Sequence, residues 1–153
     1  MTAFPFLDKA APELWKSLGG LAVRTSALAE SAGLERSTVE LVNTRISQLN
    51  GCAYCLDVHT RKAREAGVRE QQLTQLTAWR DSPVFDEVDR CALEVAEVVT
   101  QLPEGESRTA RLSAAGESLG EETLVALEWV SILMNAYNRI SILSAHPVRV
   151  RAD

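Results

Sequence analysis

Apolar residues in this chain recur at spacings of three and four. No run alternates polar and apolar with the period of two that a half-buried strand needs. From about Arg36 to Asn50, the residues Val39, Val42, Ile46 and Leu49 form one apolar stripe of a helix. Asn50-Gly51 is a strong stop, because both residues tolerate the left-handed conformation that ends helices. The same reading predicts helices from about Pro12 to Ser31 with a bend at Gly19-Gly20, from about Cys52 to Ala66, from Glu70 to Trp79 and from Val88 to Gln101. A further helix carries Leu112, Ala115 and Leu119, and a last long one runs from about Glu122 to Ala145 before His146-Pro147. The expected fold is all-α, about six to eight helices in a single domain over residues 1–153.

Charge and cysteine usage narrow the class. The chain has 153 residues and a formal net charge of −5, so there is no basic footprint for nucleic acid or for an anionic membrane surface. The segment Met1 to Asp8 lacks the basic start and long apolar stretch of a signal peptide. The most apolar stretch, Leu124 to Ile142, carries Glu128, Asn135, Asn138 and Arg139 and makes a poor transmembrane span. Three Cys in such a chain point to reduced thiols in a cytoplasm.

The chemistry concentrates between Glu40 and His59. On a helix, three residues advance about 300° and seven about 700°, so Cys52, Cys55 and His59 fall within an arc of about 60° on one face. That face turns both thiols and the imidazole toward the interior or a cleft. Unpaired N–H groups in the first turn of a helix favour a thiolate. Each thiol neighbours the other, and His59 stands one turn beyond Cys55, where it can take its proton. A tight turn at Asn50-Gly51 would make the flanking helices antiparallel. Glu40 then lies about 15 Å back along one and His59 about 12 Å along the other, so the two become level. Thr44 and Ser47, on Glu40's side, are small enough for close approach. A carboxylate beside an imidazole fixes its tautomer and raises its basicity. The inferred chain is carboxylate, imidazole, thiol.

Glu40-x11-Cys52-x2-Cys55-x3-His59 resembles the active-site motif of AhpD-like alkylhydroperoxidases in the carboxymuconolactone decarboxylase superfamily. The surrounding Arg45 to Thr60 text looks like the peroxidase-related branch in particular, as do the segment Trp79 to Pro83 and the pair Asn138-Arg139. The resemblance implies an all-helical homo-oligomer, a trimer or hexamer, that reduces hydrogen peroxide or organic hydroperoxides with a dithiol. No cofactor and no metal is expected. Carried over to this chain, Cys55 would attack the peroxide and become a sulfenic acid. Cys52 would resolve it as a disulfide, and His59 with Glu40 behind it would relay the proton. A dithiol donor, in the family sometimes a lipoyl-bearing protein, would re-reduce the pair. One departure is Tyr54, where the best-known alkylhydroperoxidases carry a further His. The superfamily's decarboxylases match less well, since lactone decarboxylation has no need of a vicinal dithiol.

Other readings of the same residues stand beside this one. A lone Cys-x-x-Cys can be half of a zinc site, but a structural site wants four ligands, and only Cys91 and His146 remain, without pair spacing. The pair could also serve a protein disulfide oxidoreductase, or an oligomeric module that senses oxidants or binds a ligand without catalysis. Cys91 sits on an apolar stripe and reads as core, His146 as a capping or surface residue, and Tyr54 as pocket wall. Asn138 and Arg139 need partners if buried and would support the site or a subunit interface. Apolar residues on more than one side of their helix suit a central helix or an oligomer contact.

Overall fold

A computed structural model describes residues 4–151, so the first three residues of the N-terminal segment read above lie outside it. Among the described residues every regular element is helical: α1 (Leu7–Ala10), α2 (Pro12–Ser31), α3 (Arg36–Asn50), α4 (Ala53–Glu65), α5 (Glu70–Gln75) with a 3-10 turn at Leu76–Ala78, α6 (Glu87–Gln101), α7 (Gly105–Leu119) and α8 (Glu121–Leu143). Helix α2 runs through Gly19-Gly20 as one element, because neither glycine is asked for a positive φ there. Helix α1 has no counterpart in the sequence pattern. At four residues it is too short to show a period. The stretch read as one helix to Trp79 tightens into a 3-10 turn at Leu76.

Helix α3 is the centre of the packing, in contact with α4, α6 and α8. Val42 and Ile46 are fully buried with Val95 and Ala96 of α6 and Leu127 and Met134 of α8. On its other side Leu41 joins Ala63, Leu76, Trp79, Phe85 and Leu93 in a second cluster. Burying such side chains contributes roughly 1.5–3 kcal/mol each. Between the clusters Glu97 of α6 accepts from Trp79 Nε1 at 2.9 Å and pairs with Arg45 at 2.7 Å and Arg80 at 2.7 Å. Burial opposes its ionisation, but the Trp79 and Arg45 hydrogen bonds and the two guanidinium charges hold its carboxyl below the ordinary range. The segment after α5 is thereby tied to the core.

The apolar residues of α8 divide between two faces. Leu127, Val130, Leu133 and Met134 are buried, while Val125, Trp129 and Ile132 stand exposed at i, i+4 and i+7. Among the described residues, no helix is long and apolar enough to cross a membrane.

The connection from α3 to α4 positions everything that follows. Gly51 takes φ +67°, the left-handed region. The Cys52 N–H then reaches back to Ser47 O at 3.0 Å and the Gly51 N–H to Gln48 O at 3.2 Å, the paired bonds of a Schellman ending. Helix α4 starts two residues later and runs back along α3. A Cβ at position 51 would meet nothing within 4 Å. Gly51→Ala therefore isolates the cost of the backbone conformation, expected at about 1–2 kcal/mol in urea denaturation. An unchanged denaturation midpoint would show that the turn needs no left-handed residue.

Candidate active site

Glu40 sits in mid-α3 at 2% exposure, a cost its carboxylate sustains only with partners. It has two. His59 Nδ1 lies 2.7 Å from Oε2, and Arg36, one turn earlier on α3, places Nε at 3.0 Å and Nη2 at 2.8 Å from Oε1. Desolvation works against the charge, yet the His59 hydrogen bond and the His59 and Arg36 charges prevail and hold the Glu40 carboxyl below the ordinary glutamate range. With Nδ1 engaged by the carboxylate, Nε2 is the ring nitrogen left for chemistry. Thr44 bonds the Glu40 carbonyl at 2.7 Å and Ser47 the Asn43 carbonyl at 2.8 Å, so both hydroxyls fold back onto α3.

Cys52 and Cys55 are joined as a disulfide with their Cα atoms 5.3 Å apart, and Cys91 is free. Cys52 is not the first helical residue but the N-cap of α4, with extended backbone, and its sulfur accepts the Cys55 N–H at 3.3 Å. The 60° face therefore holds for Cys55 and His59, while Cys52 reaches the same place as a cap. Both cysteines are buried, at 1% and 3% exposure, but they differ in one respect. Cys55 borders a cavity of about 720 Å³, together with Glu40 and His59, and Cys52 does not. Apolar side chains from α2, α3 and α8, among them Trp15, Val39 and Tyr137, form much of its wall together with Leu34 of the α2–α3 connection, with Tyr54 at one side.

The amides expected to need partners have them. Asn50, the last residue of α3, donates to Asn135 Oδ1 and Asn138 Oδ1, both at 2.9 Å. Asn138 is fully buried and donates in turn to Ser47 Oγ at 3.2 Å. The tip of the hairpin is thus bolted to α8. Arg139 is exposed and holds Asn135 from outside, through its carbonyl at 3.0 Å and its Oδ1 at 2.9 Å. Asn138 is a hairpin support, and Arg139 supports Asn135.

Two sequence readings need correction. Cys91 is not a core residue: it is half-buried at the edge of a separate cavity of about 480 Å³ between α6 and α7, and desolvation pushes its thiol up. The stripe it belongs to is apolar, but its own position on α6 falls at the rim. His146 does cap α8 through its N–H, which donates to Ser141 O at 3.1 Å, but it is not a surface residue. Its side chain is 13% exposed and it lines the same cavity as Cys55. Arg36 was unmarked in the sequence reading, although its spacing of four from Glu40 was visible there.

An all-helical chain with a dithiol at the start of one hairpin helix and a Glu–His pair across the hairpin defines the class. Residues 15–98 match the model of the carboxymuconolactone decarboxylase family. The uncharacterized protein YdfG of Bacillus subtilis (strain 168) is 35% identical over 113 residues, 74% of this chain and 77% of the relative. The alkyl hydroperoxide reductase AhpD of Bradyrhizobium sp. is 34% identical over 80 residues, 52% of this chain and 42% of that protein. The crystal structure of ATU0492 from Agrobacterium tumefaciens, a protein of unknown function proposed as an antioxidant defence protein AhpD, superposes with a TM-score of 0.81 at 29% identity. The match covers 98% of this chain and 100% of that one. The chain belongs to the carboxymuconolactone decarboxylase family, and within it is AhpD-like.

A carboxyl held below its ordinary pKa stabilises the fold above its unfolded value, about 4.3 for Glu, and that stability is lost as pH falls through the folded value. Lowering the pH from about 5 should reduce the urea midpoint of the wild type more than that of Glu40→Gln, which has no such proton to bind. Equal losses in the two proteins would contradict the Glu40 environment described here.

Proposed function

We propose that this protein is a thiol-dependent peroxidase, acting as a single AhpD-like domain on hydrogen peroxide or organic hydroperoxides. The observation that carries the reading is that Cys55, and not Cys52, opens on the cavity that Glu40 and His59 also border. In the reduced protein His59 Nε2 takes the Cys55 proton while Nδ1–H donates to Glu40, whose carboxylate stabilises the imidazolium that forms. The Cys55 thiolate attacks one peroxide oxygen. The O–O bond breaks, Cys55 becomes a sulfenic acid, and the other oxygen leaves and is protonated. The Cys52 thiol then attacks the sulfenic sulfur, water departs, and the disulfide seen here is formed. A dithiol donor returns two electrons and two protons and is itself oxidised to a disulfide.

Burial bears on the donor. With Cys52 at 1% and Cys55 at 3% exposure, a slender dithiol such as a lipoyl arm reaches the sulfurs more readily than the folded surface of a protein substrate does. That favours peroxide reduction over general protein disulfide exchange. The reading includes a cytoplasmic setting, where dithiol donors are kept reduced. It also includes a homo-oligomer, trimer or hexamer, for which the exposed Val125, Trp129 and Ile132 of α8 offer an apolar contact.

The test is peroxide consumption with a dithiol donor. Wild-type protein should turn over, and Cys55→Ser should fall to the uncatalysed rate. Cys52→Ser should complete one half-reaction and hold a sulfenic acid that dimedone traps. Wild-type turnover in Cys55→Ser, or no peroxide consumption by the wild type with any dithiol, would overturn the proposal.

A further inference from the structure

The cavity holds a second histidine–carboxylate pair, which the steps above do not use. His146 Nε2 lies 3.2 Å from Asp8 Oδ1, and both residues line the cavity with Cys55. The ring is clamped. Phe6 of the N-terminal segment stacks on it at 5.3 Å between centroids, and Tyr54, the residue before Cys55, packs on it at 5.2 Å. Its other nitrogen, Nδ1, lies 3.4 Å from Ser141 Oγ, longer than an ordinary hydrogen bond, so this is the nitrogen with capacity left for a molecule in the cavity.

Several features hold His146 there. Just past the end of α8, Ala145 stands at φ +49°, a left-handed conformation that is strained for a residue with a Cβ. That turn brings the His146 N–H back to Ser141 O at 3.1 Å. The Leu7 N–H donates to Ser144 Oγ at 3.0 Å, which fixes Asp8 and α1 against the end of α8. Beyond, Arg151 grips Asp57 of α4 with two bonds of 2.7 Å. Strain at Ala145 is maintained by contacts on both sides of it, and the result is an imidazole, with its own carboxylate, in the wall of the cavity that Cys55 borders.

Peroxide cleavage has two proton demands. Glu40–His59 takes a proton from the thiol, and the departing oxygen, a strong base, must receive one. We propose that His146 is the proton donor to the departing oxygen, with Asp8 orienting its ring. This rests on the peroxidase reading. Atoms balance: Cys55–S⁻ and ROOH give Cys55–SOH and RO⁻. RO⁻ takes the proton from His146 to leave as ROH, and the neutral ring regains a proton from solvent through the cavity mouth.

The test compares leaving groups. Reduced wild type, His146→Phe and Asp8→Asn react in single turnover with hydrogen peroxide, tert-butyl hydroperoxide and peracetic acid, the last releasing acetate, which needs no proton to depart. His146→Phe keeps a ring between Phe6 and Tyr54. It should lose about 10²–10⁴-fold with the first two peroxides, the usual contribution of a general acid, and at least about tenfold less with peracetic acid. Asp8→Asn, which leaves both rings in place, should show the same split at smaller size. Equal losses with all three peroxides, or no loss, would overturn the role of His146 and leave the peroxidase reading intact. A wild type that reacts with none of them would overturn both.

Discussion

The 2.7 Å contact between Glu40 and His59 is the constraint around which this molecule is organised. A carboxylate at 2% exposure is tolerable only if its charge is met, and the partner must arrive from another helix at the right height. One left-handed glycine makes that possible. Gly51 ends α3, Cys52 caps α4, and the second helix returns along the first so that residues nineteen apart in sequence touch. The buried Asn50–Asn138–Ser47 bonds then fix the hairpin tip on α8. Apolar packing of α3 on α6 and α8 supplies the bulk of the stability, but it does not specify the register of the hairpin. The turn and the polar bonds do.

The chemical character of the site follows from which atoms remain unsatisfied after these bonds are made. His59 gives Nδ1 to Glu40, so Nε2 remains. Glu40's second oxygen is occupied by Arg36, so the carboxylate has no further role except to stay charged. Of the two sulfurs, one caps a helix away from the cavity and the other borders it. The asymmetry between the two cysteines thus has a structural origin: Cys52 is the N-cap of α4 and Cys55 lies within its first turn.

Much of this was legible in the sequence, for reasons that can be named. The apolar stripe of α3, the Asn50-Gly51 stop and the spacing of Cys55 and His59 are local patterns, and the helical rise alone brings Glu40 level with His59. The Cys-x-x-Cys motif with its Glu and His also carried the family resemblance. What escaped was either atypical or non-local. Cysteine is not among the usual N-caps, so Cys52 was placed inside the helix. The four-residue α1 is below the length at which periodicity speaks. The cavity also joins Asp8 to His146 across most of the chain, and no spacing rule links such positions. Cys91 shows the complementary error: an apolar stripe gives the face of a helix but not where along that face the core ends.

The interaction that everything else serves can be measured as a coupling. Reduced wild type, Glu40→Gln, His59→Gln and the double variant are mixed with hydrogen peroxide, and the rate of Cys55 sulfenic-acid formation is followed for each. If carboxylate and imidazole act as one unit, each single variant loses about 10²–10⁴-fold at most, and the double variant is no slower than the slower single one. Losses that multiply in the double variant would mean that the two residues act independently and that the hairpin contact does not set the reactivity of Cys55.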